Sequence, residues 1–309
     1  MKTPNKVVCI GECMVELYPA EKGLWQQGFA GDTMNTAWYL RQLFDGTWDV
    51  EYFTALGQDR LSDEMHAFLQ RAGLAVDHIV RIADRQPGLY AIHLQDGERS
   101  FSYWRENSAA RLLADDPDIL QQIMTEQDVI YFSGITLAIL PPKDRDTLLR
   151  LIGNARKNGQ QVIFDPNLRP KLWKTQNEMC EAIERAAALS NLVMPSFSDE
   201  QDAFGDPSPS DTAHRYLTLG CEEVVVKNAD AEIIHRALES AETRFAPKKI
   251  KPIDTTGAGD SFNAGFIYAK CSGKSLDDAI SLAQNLAGHV IQKRGAIVEL
   301  PKLVTAKRS

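Results

Sequence analysis

Gly257, Ala258, Gly259 and Asp260, directly ahead of an apolar run of helical period, form the segment best suited to chemistry. Glycine loses the most backbone freedom on ordering, so a stretch this thin predicts that something approaches the main chain closely. At the start of a helix these residues offer amides without intrahelical partners, at the positive end of the dipole. Such an end binds phosphate without needing a lysine. A carboxylate beside a resting phosphate is repelled by it, so Asp260 calls for a chemical reason. Taking the proton from a hydroxyl that attacks phosphorus is one, because phosphoryl transfer rests on positioning and charge stabilisation with one aspartate as base. The plain alternative is an ordinary helix start with an acidic residue in its first turn. No GxxxxGK[ST] occurs in the chain, and no GxGxxG follows the first strand, which sets aside the Walker and dinucleotide loops.

A second group of residues suggests what is acted upon. In "ERSFSYWR" an alternating period places Phe101, Tyr103 and Arg105 on one strand face, with Ser102 and Trp104 on the other. An arginine fork matches a carboxylate bidentately, and tyrosine hydroxyls can fix sugar oxygens. Arg169, in "DPNLRP", lies just past a strand end, where ligands of open parallel sheets bind. Each arginine alone reads equally well as a surface ion pair. Together they point to an acidic substrate.

These residues need a scaffold, and the remaining sequence supplies an α/β one. Short β-branched runs ("KVVCIG", "VEYFTAL", "DVIYFSG", "QQVIFDPN", "NLVMPS", "EEVVVKN") alternate with helical segments ("MNTAWYLRQL", "RLSDEMHAFLQRAG", about 142–157, and a long tail over 257–292). Strands apolar throughout imply a parallel sheet covered on both faces. Between Val76 and Arg105 the rhythm breaks into alternating strands around a "QDGER" turn, read as a small β appendage that covers a site or pairs with a second copy. With 309 residues, 44% hydrophobic and 25% charged, the chain reads as an ordinary globular protein. A net charge of −8 argues against nucleic acid as a partner. No 18-residue apolar run suggests a membrane span, and five scattered cysteines (Cys9, Cys13, Cys180, Cys221, Cys271) read as free thiols in a reducing cytoplasm.

"DTTGAGDSFNAGF" resembles the C-terminal signature of the ribokinase, or PfkB, family of sugar kinases. "FAGDTMNTAWYL" is similar to the family's N-terminal glycine-plus-asparagine segment, and "DPNLRPKLW" to its central DPN motif. The runs "GDTMNTA", "PGLYAI", "FSYWR" and "GITLAIL" look like the 2-keto-3-deoxygluconate kinases within it. The resemblance implies one ribokinase-like α/β domain over residues 1–309, with a discontinuous β lid from about 12–30 and 76–106; a homo-oligomer through that lid is expected because its sheet edges need covering. It implies ATP-dependent phosphorylation of a sugar acid at its 6-hydroxyl, with Asp260 as base and the Gly257–Asp260 amides as anion hole. Gly31, Asp32, Thr33 and Asn35 would bind sugar hydroxyls; Tyr90, Tyr103, Arg105 and Arg169 would hold the chain and its carboxylate. Asn167, Arg169 and Lys227 would join the glycine loop around ATP, with Mg2+ carried mostly on phosphate oxygens and water. Asp254 and Thr256, with backbone near Gly295, resemble a monovalent-cation loop suited to K+. Two positions depart from the pattern. "PSFSDE" stands where the family often shows NxxE, leaving Asp199 or Glu200 for the metal, and Asn228 replaces a glycine after the lysine. Fructokinases share "DPNLRP" but usually show a GAPAN-type segment in place of "GDTMN". A fructokinase or other neutral-sugar kinase is thus the nearest alternative, with a non-catalytic sugar sensor behind it.

Overall fold

The computed structural model describes residues 5–44, 46–95 and 98–301. Eight strands build the main sheet: β1 (Asn5–Ile10), β4 (Trp48–Phe53), β9 (Val129–Ser133), β10 (Gln161–Asp165), β11 (Leu192–Val193), β12 (Glu223–Val226), β13 (Ile233–Ala237) and β14 (Thr243–Phe245). Their order is β14-β13-β12-β11-β10-β9-β1-β4, parallel from β12 to β4 and antiparallel at the β13–β14 edge. The β13–β14 edge hairpin is absent from the sequence reading, because "EIIHRALES" carries no turn signal between strands.

Alternate residues of one strand feed opposite cores, as the two-residue side-chain period requires. Val8, Ile10, Ile130 and Phe132 pack on one side with leucines of α5 (Pro142–Lys157) and with Met179 and Ile183 of α6 (Gln176–Ala188). Val7, Cys9, Val129 and Tyr131 pack on the other with α1 (Asp32–Phe44), α9 (Ala258–Cys271) and α10 (Leu276–Val290). Each large apolar side chain buried this way contributes about 1.5–3 kcal/mol. This double cover makes the central strands apolar throughout.

A second sheet of four strands, β3-β2-β7-β8, is drawn from β2 (Met14–Pro19), β3 (Trp25–Ala30), β7 (Gly88–Gln95) and β8 (Glu98–Trp104). Val80–Arg81 (β6), read from the sequence as part of the appendage, pairs instead with Ala55–Leu56 (β5) in a separate two-stranded sheet. The single helical tail expected over 257–292 is two helices. Gly273 turns left-handed (φ 68°), and the Ser275 hydroxyl caps α10 by accepting from the Asp278 amide at 3.2 Å.

Candidate active site

Three parallel strands of the main sheet deliver their C-terminal ends to one region, where open α/β sheets place ligands, and the chain leaving the small sheet joins them. Asp165 ends β10, Lys227 follows β12, Ser133 ends β9, and Gly31 and Asp32 open α1. Facing them, α9 starts at Gly257, a left-handed N-cap (φ 75°) where a Cβ would stand 2.9 Å from the Ala296 carbonyl oxygen. Glycine alone satisfies both conditions. Of the four amides in the expected anion hole, that of Ala258 closes a turn on the Thr255 oxygen at 3.2 Å. The Gly259 and Asp260 amides lie in the helix's first turn, where intrahelical partners are lacking.

Asp260 sits in that first turn with its Oδ2 accepting from Asn35 Nδ2 at 2.7 Å, across 225 positions of sequence. Asn35 is itself held by Gly31, whose oxygen accepts the Asn35 amide at 2.7 Å while its own amide donates to Asn35 Oδ1 at 3.3 Å. Asn35, read as a sugar ligand, therefore also aims the carboxylate of Asp260. Burial, reinforced by the neighbouring Asp32 and Asp165 carboxylates, pushes Asp260 up to about 8, against the pull of Asn35 and Lys227. Asp32 is likewise raised by burial, and its Oδ2 accepts from Asn167 Nδ2 at 2.8 Å. Asn167 adopts a left-handed backbone (φ 35°), with its amide on Asp165 Oδ1 at 3.2 Å. Its side chain thus lies on the Asp32 side of the site.

Beneath these groups is a buried polar net that the sequence reading missed. Lys227 Nζ donates to Asp165 Oδ2 (3.0 Å) and Asn263 Oδ1 (3.1 Å), and Asn263 Nδ2 donates to Asp165 Oδ2 (2.6 Å) and the Tyr131 hydroxyl (3.0 Å). Thr36 Oγ1 lies 3.4 Å from Tyr131 and 3.3 Å from the Asp260 carbonyl oxygen. The available signal was the first letter of "DPN" and the asparagine of "GDSFN", polar residues at strand-end and helix positions otherwise apolar.

Other expected residues fall out differently. Thr33 is fully buried, with its Oγ1 3.4 Å from the Tyr52 hydroxyl, while the neighbouring Asp32 and Asn35 side chains bond to Asn167 and Asp260. Arg105 lines a cavity beside the small sheet, and Arg169 lines the cleft past the end of β10. Arg105 donates to the buried Glu12, and Tyr90 to the buried Glu16. The Tyr90 and Tyr103 rings lie 5.9 Å apart, with Phe101 beside them.

Arg169, Lys227 and Gly259 line a cleft of about 560 Å³ together with the apolar Ile250, Phe262 and Ile291. Lys248 lines the same cleft. Asp199 and Glu200 are oriented differently. Asp199 faces the cleft, 3.7 Å from Arg169, whereas Glu200 is fully buried against Arg215 and Tyr216. The left-handed residue after the lysine is Ala229 (φ 42°), not Asn228, whose carbonyl oxygen closes the turn on the Ala231 amide at 2.7 Å. Asp254 is buried, accepting from the Thr256 amide (3.0 Å) and hydroxyl (2.6 Å) and from the Gly295 amide (2.8 Å), and so ties two turns together under the helix start.

Residues 4–303 match the pfkB family of carbohydrate kinases. The chain belongs to that family. It is therefore an ATP-dependent carbohydrate kinase with a ribokinase-like fold. The kinase is 41% identical to the 2-dehydro-3-deoxygluconokinase of Dickeya dadantii, over 96% of this chain and 98% of that protein. It is 38% identical to the 2-dehydro-3-deoxygluconokinase of Haemophilus influenzae, over 96% of each. The PfkB protein of Polaromonas sp. JS666 superposes with a TM-score of 0.82 at 26% identity, covering 94% of this chain and 96% of that one. Among the described residues, no helix of the kinase is long and apolar enough to cross a membrane.

Proposed function

We propose that the kinase transfers the γ-phosphoryl group of ATP to the 6-hydroxyl of 2-keto-3-deoxygluconate, the acid also called 2-dehydro-3-deoxygluconate. The observation that carries this reading is Asp260, aimed by Asn35 in the same helical turn as the Gly259 amide, in a chain with two full-length relatives of that name. Asp260 takes the hydroxyl proton as the oxygen attacks phosphorus. The Gly259 and Asp260 amides, with the Gly257–Ala258 backbone, hold the charge that spreads over the transferring oxygens. The cleft fits ATP, its apolar side chains taking the base while Lys227 and Arg169 meet the phosphates. Asp32, Asn35 and the Gly31 backbone bind sugar hydroxyls; Tyr90, Tyr103 and Arg105 hold the chain and its carboxylate. The small sheet acts as the lid that excludes water, which limits hydrolysis of ATP.

Among the described residues no cluster of three or more metal-ligating side chains exists. That fits Mg2+ carried on phosphate oxygens and water, with Asp199 reaching it from the cleft wall; when bound, it neutralises charge on the phosphates. The Asp254–Thr256 turn fits K+ as a monovalent ion that firms the loop beneath Gly257.

One observation favours a neutral sugar as the second reading: Arg105 is already paired with Glu12. The deciding assay is ATP-dependent ADP release on the keto acid, fructose, ribose and adenosine, in potassium and in tetramethylammonium salts. Turnover on the keto acid alone, faster in potassium, is expected. Turnover on fructose alone would remove the acid-sugar reading and leave Asp260 as base.

A base raised to about 8 also predicts a pH profile. Asp260 works only when deprotonated, so kcat/KM for the sugar rises with pH up to about 8. Below that point it falls about tenfold per pH unit, because kcat/KM follows the free enzyme's essential base. A flat profile between pH 5 and 9 would show that this carboxyl is not the base.

A further inference from the structure

We propose that Glu12 is a specificity-determining residue of the sugar site, its carboxylate competing with that of the substrate for the Arg105 guanidinium. The inference rests on the acidic substrate proposed above. Glu12 lies in the short link between β1 and β2, where the chain leaves the large sheet for the small one, and is 2% exposed. Arg105 and Ser108 follow β8, where the chain returns. Arg105 Nη2 donates to Glu12 Oε2, and the Ser108 hydroxyl donates to Oε1 at 2.5 Å. Gly88 closes over the pair: a Cβ there would stand 2.7 Å from Glu12 Oε1 and 3.3 Å from Arg105 Cβ.

The guanidinium is only half satisfied on the edge that matters. A carboxylate binding side-on takes two parallel N–H groups, Nε and Nη2. Here Nη2 belongs to Glu12, while Nε is buried and has no partner among the described residues. A buried donor without an acceptor is unfavourable, so this edge is poised for a second carboxylate. A ligand that takes both donors displaces Glu12 from Nη2, and Ser108 still holds Glu12 by its other oxygen. Until then Arg105 faces the site paired with an opposite charge. A neutral sugar gains nothing there, and an acidic one must win the arginine from Glu12. The affinity for the acid is therefore set by the pair and not by Arg105 alone.

Two variants separate this from a merely structural role, because they should move the acid's KM in opposite directions. Glu12→Gln keeps the shape, can still accept from Arg105 through its amide oxygen while its NH2 donates to the Ser108 hydroxyl, and removes the competing charge, so KM for 2-keto-3-deoxygluconate falls about tenfold. Ser108→Ala removes the hydroxyl that shares Glu12 and leaves the carboxylate wholly to Arg105, so KM for the acid rises about threefold. KM for ATP should stay put in both. If the wild-type enzyme uses the keto acid and both variants raise its KM, or neither changes it, Glu12 is only a structural anchor and the proposed function stands. If the wild-type enzyme does not phosphorylate the keto acid at all, both the function and the role of Glu12 fall. Should Glu12→Gln fail to fold, an unchanged or lowered acid KM in Ser108→Ala would by itself overturn the proposal.

Discussion

Asp260→Asn is expected to lower kcat by about 10²–10⁴, the range over which a positioned base contributes, while both substrates still bind. The geometry makes this replacement clean. Asn35 Nδ2 donates to Asp260 Oδ2, and an asparagine oxygen at the same place accepts the same bond. The first-turn amides of α9 are main-chain groups and stay where they are. What disappears is the capacity to take a proton. The change also relieves a crowded site, since Asp32 and Asp165 lie close enough to help raise Asp260. The variant should therefore melt no lower than the parent, and somewhat higher at alkaline pH, where the parent carries the extra charge. Steady-state kinetics together with titration of ATP and sugar would check this. A kcat near that of the parent would remove Asp260 from the chemistry, whatever the fold.

Lys227→Met should lose both activity and stability, for separable reasons. Lys227 is 9% exposed and donates to Asp165, itself 3% exposed, at 3.0 Å. Methionine keeps the volume and apolar stem but leaves Asp165 as a buried carboxylate without its cation. Breaking one partner of a buried pair costs about 3–5 kcal/mol. Asn263 still donates to Asp165 Oδ2 at 2.6 Å and softens the loss, so the lower end of that range is expected. Activity falls through a second route: Lys227 lines the cleft, and a Cβ on Gly259 would stand 3.7 Å from its Nζ, which puts the ammonium where the proposed phosphates pass. The double variant Lys227→Met/Asp165→Asn separates the two effects. It should regain most of the melting temperature and none of the turnover. Recovery of turnover in the double variant would show that Lys227 serves only to neutralise Asp165.

Much of the architecture was legible in the chain. The apolar runs of β1, β9, β10 and β12 announced a doubly covered parallel sheet, because each strand feeds both cores through alternate residues. The "TTGAGD" run announced a helix start built for close approach, and the structure places Gly257 there in a conformation that a side chain would not tolerate. Local signals of this kind depend on a few neighbouring residues and survive without knowledge of the fold. Where such signals were weak, the reading slipped: one tail became two helices at Gly273 and Ser275, and the β13–β14 hairpin went unseen.

By itself the sequence determined the fold class, the glycine loop with its aspartate, and the residue types able to meet phosphate and sugar. Tertiary structure alone decided which of them meet. Asn35 and Asp260 are 225 positions apart, Asn167 and Asp32 135, and Lys227 and Asp165 62, and no local period relates such partners. The same is true of Arg105, whose fork looked free on a strand face until the fold laid it against Glu12, 93 positions earlier, and of Thr33, turned inward by one step of its helix. A hydrogen bond is formed by atoms within about 3 Å of each other, while the pattern in a chain records only faces and periods. The chemistry a residue can perform is written in its type, but what its neighbours leave it free to do is settled when strand ends converge.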